Sequence, residues 1–357
     1  MLLLLDYAML LAVSNKLKLG NKLLLDLEQT LPEGWAVQLR PGQSSKGPDA
    51  LLEINSPSGT RTVFAIEEKL RFEPRDVDYV ERQFALFATQ GSPLLITPAL
   101  SGRSRELLKQ RNVSYADCNG NIRLSSDGFF IDRESGAKNL ENVRSNLQRS
   151  SLRGPITGRL IRYLLDARPP LKVRDIAYAT NVNPGNVSRL LKLLERERLI
   201  NREGRGMVAN VDWEALIRQW SEALKRDRHY SATIEPHGIE TFTRYLRTKM
   251  PYAITGSYGA ALIAPAARAS SIDVHVESAD LWIRDIGLRI AEGYGNIRLI
   301  EAFDEVVFER TLERNGLIVA NPSQVAADLL TLPKRSDDEY DSLINWMKHN
   351  ESSWRVA

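Results

Sequence analysis

Two carboxylates and a lysine in the first third of the chain are spaced as phosphodiester chemistry requires. Asp49 opens one predicted strand, and Glu67 and Lys69 close the next one along the chain. Alternate residues of a strand share a face, so Glu67 and Lys69 point to one side and Glu68 to the other. If the two strands pair, Asp49 approaches Glu67. Carboxylate oxygens suit Mg²⁺, and such a site positions a water for attack on a phosphodiester.

The residues around this set alternate between helical and strand patterns. Leu24, Leu27 and Leu31 recur at the helical spacing i, i+3 and i+7. The patterns predict a helix over 17–31, strands over 35–40, 50–55 and 61–70, a helix over 77–89, a strand over 93–97, a helix over 104–111 and a strand over 113–117. This alternation predicts an α/β sheet in a first domain of residues 1–131.

Pro48-Asp49 followed by Glu67-Glu68-Lys69, in this order of elements, resembles the restriction-endonuclease-like superfamily, whose nucleases carry Pro-Asp, a spacer and Asp/Glu-x-Lys. The resemblance implies a restriction-endonuclease-like sheet with Asp49, Glu67 and Lys69 as catalytic residues and the two carboxylates as metal ligands. Some members use two further positions, which here are Glu28 and Gln83. The alternatives are the same fold without activity, and a surface salt-bridge set on an edge hairpin.

The run from Asp117 to Asn121 follows the last of these strands, and Asp, Asn and Gly are typical of a tight turn. Cys118 within it has no histidine near it in sequence, so we do not predict a nucleophile. It is the single cysteine of the chain, which excludes an internal disulfide framework and a thiolate zinc site. A single cysteine fits a reducing compartment and predicts cytoplasmic localisation.

The segment from 155 to 211 has the pattern of a winged helix-turn-helix. Helices are predicted over 158–167 and 173–179, followed by a turn at 180–183. Asn183 is the predicted N-cap of a third helix that begins at Pro184, because proline favours the first helical position. Its apolar stripe consists of Val187, Leu190, Leu191 and Leu194. Two short strands around a Gly-Arg-Gly tip then make a wing.

The opposite face of the third helix carries Asn186, Ser188, Arg189 and Lys192. Asn and Arg form paired hydrogen bonds with base edges, and Ser and Lys hold phosphates. Arg205 at the wing tip suits a minor groove. Residues 150–228 contain 16 lysines and arginines against 9 aspartates and glutamates, a net charge of +7 in a chain of +3 overall. We therefore predict a DNA-binding domain over 151–228, after a polar linker over 132–150.

The remaining residues, 229–357, predict a C-terminal α/β domain. Gly256-Ser257 follows one predicted strand, and Asp273 and His275 alternate on the next, over 271–276. This resembles minimal nucleotidyltransferases, which need a Gly-Ser turn and two alternating carboxylates. Because His275 replaces the second carboxylate, we predict a nucleotidyltransferase-like scaffold without nucleotide transfer. The whole chain is predicted to be an α+β multidomain protein.

The order of these blocks, with Asn321-Pro322-Ser323-Gln324 opening a late helix, resembles the AbiEi antitoxin group of type IV toxin–antitoxin systems. The resemblance implies a transcriptional regulator that acts on its own promoter, has a possible cognate toxin partner and does not contact a membrane. A homodimer on double-stranded DNA is expected, since one helix reads few bases.

Three functions stay open on the sequence. The leading hypothesis is a DNA-binding regulator without catalytic activity or cofactor. The second is a Mg²⁺-dependent nuclease that the winged helix delivers to DNA, and the third is a protein-binding adaptor.

Overall fold

In the computed structural model, the chain forms two compact units, Met1–Asn146 and Leu147–Ala357. The described residues are 18–42, 47–134, 152–204, 206–227, 230–234, 238–248, 251–266, 269–291, 295–331 and 337–356. Each unit has a seven-stranded sheet of its own. No helix in these ranges is long and apolar enough to cross a membrane.

The first unit is a mixed sheet with helices on both faces. Its elements are α1 (Lys18–Thr30), β1 (Ala36–Pro41), β2 (Ala50–Asn55), β3 (Arg61–Glu68), α2 (Val77–Ala85), β4 (Ser92–Thr97), α3 (Gly102–Gln110), β5 (Ser114–Asp117), β6 (Ile122–Ser126) and β7 (Phe129–Arg133). The strands lie in chain order, β1 to β7. β1, β2 and β3 are antiparallel, whereas β3, β4 and β5 are parallel and are connected through α2 and α3.

Strand alternation divides this sheet between two apolar clusters. Phe64 and Ile66 of β3 face α1, which buries Leu23 and Leu27 against them. Ala65 lies in the other cluster, under α2 and α3. Residues 67 and 69 continue the Ala65 side, so β3 delivers them toward α2.

Two strands after the turn at 117–121 were not predicted. β6 and β7 form a hairpin at the sheet edge, and β7 continues to Arg133, past the predicted end of the domain at residue 131. The predicted linker over 132–150 is therefore wrong at its start, because Asp132 and Arg133 pair with β6. The rest of the predicted linker, from residue 135, lies outside the described residues.

The second unit begins with the winged helix and continues into a second sheet. Its elements are α4 (Pro155–Asp166), α5 (Val173–Thr180), α6 (Pro184–Arg196), β8 (Ile200–Glu203), β9 (Met207–Val211), α7 (Trp213–Asp227), β10 (Tyr230–Ile234), α8 (Ile239–Leu246), β11 (Ala253–Thr255), α9 (Gly256–Ile263), β12 (Ile272–Val276), α10 (Ala279–Ile286), β13 (Arg289–Ile290), β14 (Ile297–Glu301), β15 (Leu312–Arg314), β16 (Leu317–Val319), α11 (Pro322–Leu329), α12 (Asp337–His349) and α13 (Glu351–Trp354). The sheet order is β13-β10-β14-β12-β11-β16-β15.

One hydrophobic core runs through the winged helix and the following segments. It joins buried residues of α4 and α6 to Val325 of α11 and Met347 of α12. Trp220 of α7 is fully buried and its ring meets the Phe303 ring edge-on, with centroids 6.0 Å apart. The sequence predicts separate domains over 151–228 and 229–357, whereas the structure packs both into one compact unit.

A buried polar network crosses this shared core. Arg162 of α4 is fully buried and donates to Asp166 (3.0 Å) and to Gln324 of α11 (3.0 Å). Ser323 donates to Asp166 (2.6 Å), and Gln324 donates to Asp328 (2.8 Å). A buried charge is tolerated when hydrogen bonds satisfy it. Ser323 and Gln324 of the Asn-Pro-Ser-Gln helix start therefore connect α4 by hydrogen bonds to the part of the unit that contains the second sheet.

Candidate nucleic-acid interface and N-terminal carboxylates

The third helix of the winged helix begins as the sequence predicts. Asn183 is the N-cap of α6, its side chain accepts from the Gly185 amide (2.8 Å), and Pro184 is the first helical residue. The turn before it contains Asn181 in the left-handed conformation, with φ 52°. The apolar stripe Val187, Leu190, Leu191 and Leu194 is buried. This burial fixes which face of α6 is left for solvent.

The four predicted DNA-binding residues of α6 all avoid the core. Arg189 and Lys192 are exposed, and Asn186 and Ser188 are half-buried. Arg189 donates to the side-chain oxygen of Asn186 (3.1 Å), so these two predicted DNA-binding side chains lie together. The fifth predicted residue, Arg205 at the wing tip, lies outside the described residues.

The wing is a hairpin of β8 and β9 with a third strand contact behind it. Leu171, between α4 and α5, forms an antiparallel bridge with Val208 of β9. Gly206 has φ 88° beside the Arg202 guanidinium, where a side chain would be strained. Arg202 donates to the Gly206 carbonyl (3.3 Å) and pairs with Glu195 of α6 (3.2 Å). The wing thus contacts both α6 and the segment between α4 and α5.

Helix, helix, helix and hairpin, with a polar exposed face on the third helix, is the geometry of a winged helix-turn-helix. Residues 156–204 match the IclR helix-turn-helix domain. The match runs from α4 through β8, and it supports a DNA-binding transcriptional regulator. No curated protein and no solved structure matches the chain. The IclR-type domain covers a minor part of the chain, and the first unit and the second sheet lie outside it.

Tyr178 on α5 is a surface residue of the IclR-type domain that was not predicted. Its side chain is 91% exposed, although Ile176 and Ala177 beside it are buried. Arg174, one turn earlier, is also exposed. The first helix of a helix-turn-helix crosses the DNA backbone, and tyrosine and arginine are common phosphate ligands. The helical period around Ile176 and Ala177 was the available signal, since it turns Tyr178 away from the core.

In the first unit, the structure brings Asp49, Glu67 and Lys69 together. Ala50 pairs with Ile66, so Asp49 stands opposite Glu67 at the ends of β2 and β3. The Asp49 carboxylate accepts from the Glu68 amide (2.9 Å), and Lys69 pairs with Glu67 (3.0 Å). The Lys69 ammonium also lies 5.7 Å from the centre of the Tyr79 ring on α2.

Glu68 points away from this cluster, as strand alternation predicts. Its carboxylate accepts from the Gly20 amide in the first turn of α1 (2.7 Å). Burial raises the pKa of both Glu67 and Glu68, and the Asp49 carboxylate raises them further. Lys69 opposes this at Glu67, where its hydrogen bond and charge lower the pKa. Asp49 and Glu67 thus place two carboxyl groups beside the one ammonium group of Lys69.

The two accessory positions have different surroundings. Glu28 is exposed on α1, eight residues beyond Gly20 and so about 12 Å further along the helix. The structure does not bring it to the carboxylates. Gln83 lies on α2 one turn beyond Tyr79, and within the described ranges its buried side-chain oxygen has no hydrogen-bond partner.

Mg²⁺ fits a site of this composition. It binds proteins through one or two carboxylates and keeps several waters. Asp49 and Glu67 would supply two such carboxylates, but no group of three or more acidic, histidine or cysteine side chains is placed to hold a metal among the residues described. Any ion there would keep part of its water shell, which is what attack by a metal-bound water needs.

The turn at 117–121 is structural, as predicted. Asp117 accepts from the Asn119 amide (2.9 Å), from the Asn121 amide (3.1 Å) and side chain (2.8 Å), and from the Leu100 amide (3.1 Å). Cys118 is half-buried within it.

In the second sheet, the polar residues of the nucleotidyltransferase-like pattern are committed to protein partners. Asp273 is buried and forms a two-bond ion pair with Arg298, one bond of 2.8 Å. His275 hydrogen-bonds Asp328 (2.7 Å), and Ser257 hydrogen-bonds Glu339 (2.8 Å). A nucleotide at these positions would have to displace these bonds.

Proposed function

We propose that this protein is a sequence-specific DNA-binding transcriptional regulator that acts on its own promoter. The observation that carries the proposal is the row of polar residues that α6 keeps outside the core, Asn186, Ser188, Arg189 and Lys192, on a capped helix within the IclR-type domain. In this reading α6 lies in the major groove. Arg189 and Asn186 contact base edges, and Lys192 and Ser188 contact phosphates. Arg205 at the wing tip then reaches the minor groove.

The antitoxin role belongs to the same proposal. It rests on the order of the blocks along the chain, which resembles that of AbiEi antitoxins. It rests also on the Asn-Pro-Ser-Gln helix start, whose hydrogen bonds connect α4 to the part of the unit that contains the second sheet. We propose that the regulator binds as a homodimer and has a cognate toxin. Co-expression with a toxin encoded beside it should restore growth, and purified full-length chain should have twice the chain mass in sedimentation.

The proposal is tested by binding to the DNA upstream of its own gene. The wild-type chain should prefer this duplex to a scrambled duplex of equal length, and the preference should be reduced in Arg189→Ala. Arg247→Ala is the matched control, because Arg247 is an exposed arginine of the same unit that directly follows α8, remote from α6 in sequence. Equal affinity of the wild-type chain for both duplexes would exclude sequence-specific regulation through α6.

A second candidate function is Mg²⁺-dependent DNA cleavage by the first unit. It is favoured by one observation, the convergence of Asp49, Glu67 and Lys69 at the paired ends of β2 and β3. The order α1-β1-β2-β3-α2-β4 agrees with the restriction-endonuclease resemblance. In this proposal Asp49 and Glu67 would hold the ion, whose chemistry would be to lower the pKa of a bound water, and Lys69 would face the developing negative charge.

Supercoiled plasmid separates the two functions. A nuclease should nick it with Mg²⁺ but not with EDTA, and Asp49→Asn should abolish nicking without weakening DNA binding. Glu28→Gln is the control, because Glu28 is exposed and distant from Gly20 on α1. Equal nicking by wild type and Asp49→Asn would remove this candidate and leave the regulator.

A further inference from the structure

Arg159 of α4 joins three parts of the second unit. Its guanidinium donates to Asp304 through Nε (3.0 Å) and Nη2 (2.7 Å). It also donates through Nη1 to the Thr180 carbonyl (3.4 Å), which ends α5 and begins the turn into α6. Asp304 follows β14 of the second sheet. The Arg159 side chain therefore connects the loop after β14 to the turn that precedes α6.

The surroundings of this contact are tightly packed. The Asp304 side chain is 4% exposed, and it also accepts from the Val306 amide (3.0 Å). A side chain added at Gly158 would come within 2.5 Å of the Phe303 ring, so α4 lies directly against this loop. The nearby Asp304 carboxylate raises the pKa of Arg159, which stays charged. Forked arginine–carboxylate pairs fix orientation as well as distance.

We propose that Arg159 is a positioning residue for DNA recognition: through Asp304 and the Thr180 carbonyl, it holds α6 at the angle to the wing that sequence-specific binding requires. The inference rests on the proposed function and adds the device that sets its specificity. The wing is tied to the end of α4 by the Leu171–Val208 bridge, and Arg159 ties the start of α4 to the turn before α6. In the proposed specific complex α6 and the wing contact DNA at once, whereas non-specific binding depends on phosphate contacts that need no fixed angle between them.

The direction in which Asp304→Asn changes the affinity for DNA distinguishes a positioning role from a purely electrostatic effect. Asp304→Asn keeps an oxygen for the Val306 amide but loses the charge that holds Arg159. If Asp304 acts only as a negative charge, its removal tightens binding to any DNA. If it acts by positioning, its removal weakens binding to the preferred duplex alone.

The experiment measures the affinity of the full chain for two duplexes by fluorescence anisotropy. One duplex is the tightest sequence selected from a random library, and the other is a scrambled version of it. Arg159→Met and Asp304→Asn should each weaken the preferred complex about 2- to 30-fold, while Asp304→Asn leaves the scrambled complex unchanged or tighter. The double variant should be no weaker than Arg159→Met, since the two residues act as one contact. Arg247→Met controls for the loss of one positive charge.

Three results would overturn the inference. They are tighter binding of the preferred duplex by Asp304→Asn, fully additive effects in the double variant, and equal losses on both duplexes. If Arg159→Met does not fold, as judged by circular dichroism, Asp304→Asn carries the test alone. A wild-type chain that does not discriminate removes the proposed function and this inference together. A discriminating wild type with unchanged variants removes the inference alone.

Discussion

Glu67 is a carboxyl group at which burial and charge are opposed. Its side chain is almost fully buried beside Asp49, and both effects raise its pKa, while Lys69 lowers it. A carboxyl whose pKa is raised by folding stabilises the folded state fully below its ordinary pKa near 4.5. This stabilisation is lost as pH rises through the folded-state pKa.

Glu67→Gln should therefore change the pH dependence of stability. The melting temperature of the variant relative to wild type should be higher at pH 7 than at pH 4, because glutamine has no proton to lose. Thermal melts at the two pH values measure this difference, with Glu28→Gln as the surface control. The same difference at both pH values would show that ionisation of Glu67 costs the fold nothing.

Arg189 and Lys192 should differ in what their loss does to DNA binding. Arg189→Ala should cost about 1–3 kcal/mol and relax the preference at one base position, since arginine reads a guanine edge. Lys192→Ala should weaken all duplexes alike and reduce the salt slope by about one. Anisotropy titrations over a salt series distinguish the two, and identical salt slopes for both variants would contradict these roles.

At this scale, prediction from sequence depended on local geometry. Asp49, Glu67 and Lys69 were predictable because strand alternation and a short turn set their positions. The predicted N-cap Asn183 is confirmed for the same kind of reason. The pair of Arg159 and Asp304 was not predictable, because 145 residues separate its members. The distance between Glu28 and the end of β3 was not predictable, because it depends on how α1 packs on the sheet.

At the scale of elements, the helix starts at Asn-Pro pairs were predicted, whereas the hairpin of β6 and β7 was not. The starts of α6 and α11 follow from Asn-Pro pairs, and both asparagines cap as expected. β6 and β7 escaped prediction because each has five residues and no long apolar run. Their pairing to one another and to β5 is what makes them strands.

The two cap asparagines should differ in the stability that they supply. Asn183→Ala removes one bond at an exposed helix end and should cost about 1 kcal/mol. Asn321→Ala should cost more, because this fully buried side chain also donates to the Arg310 and Trp354 carbonyls. Urea unfolding of both variants measures the free-energy differences. A larger cost for Asn183→Ala would contradict the hydrogen-bond pattern.

At the scale of the whole molecule, the sequence predicted three domains where the structure has two compact units. Charge and composition change near residue 228, and that change suggested a boundary. The apolar residues of α11 and α12 do not indicate, in the sequence, which segment these helices pack against. In the fold they pack on the winged helix, so its core is completed by residues more than a hundred positions away.

Fragments of the chain should reveal this shared core. Residues 147–357 should unfold in one cooperative transition and keep the DNA affinity of the full chain. Residues 147–228 should be unstable, because Trp220 loses its contact with Phe303, and α4 and α7 lose their contacts with α11. Circular dichroism melts of the two fragments check this, and a cooperative melt of the shorter fragment would contradict it.

The aromatic residues give the two units different optical signatures. Five of the six tryptophans lie in the second unit, including Trp213, whose ring packs edge-on against Trp354 at 5.3 Å. The first unit has Trp35 and the single cysteine, Cys118. Intrinsic fluorescence therefore follows mainly the DNA-binding half, and a dye attached to Cys118 follows the carboxylate-bearing half. Without any substitution, tryptophan and dye fluorescence recorded on one sample can thus show which unit responds first to DNA, to Mg²⁺ or to denaturant.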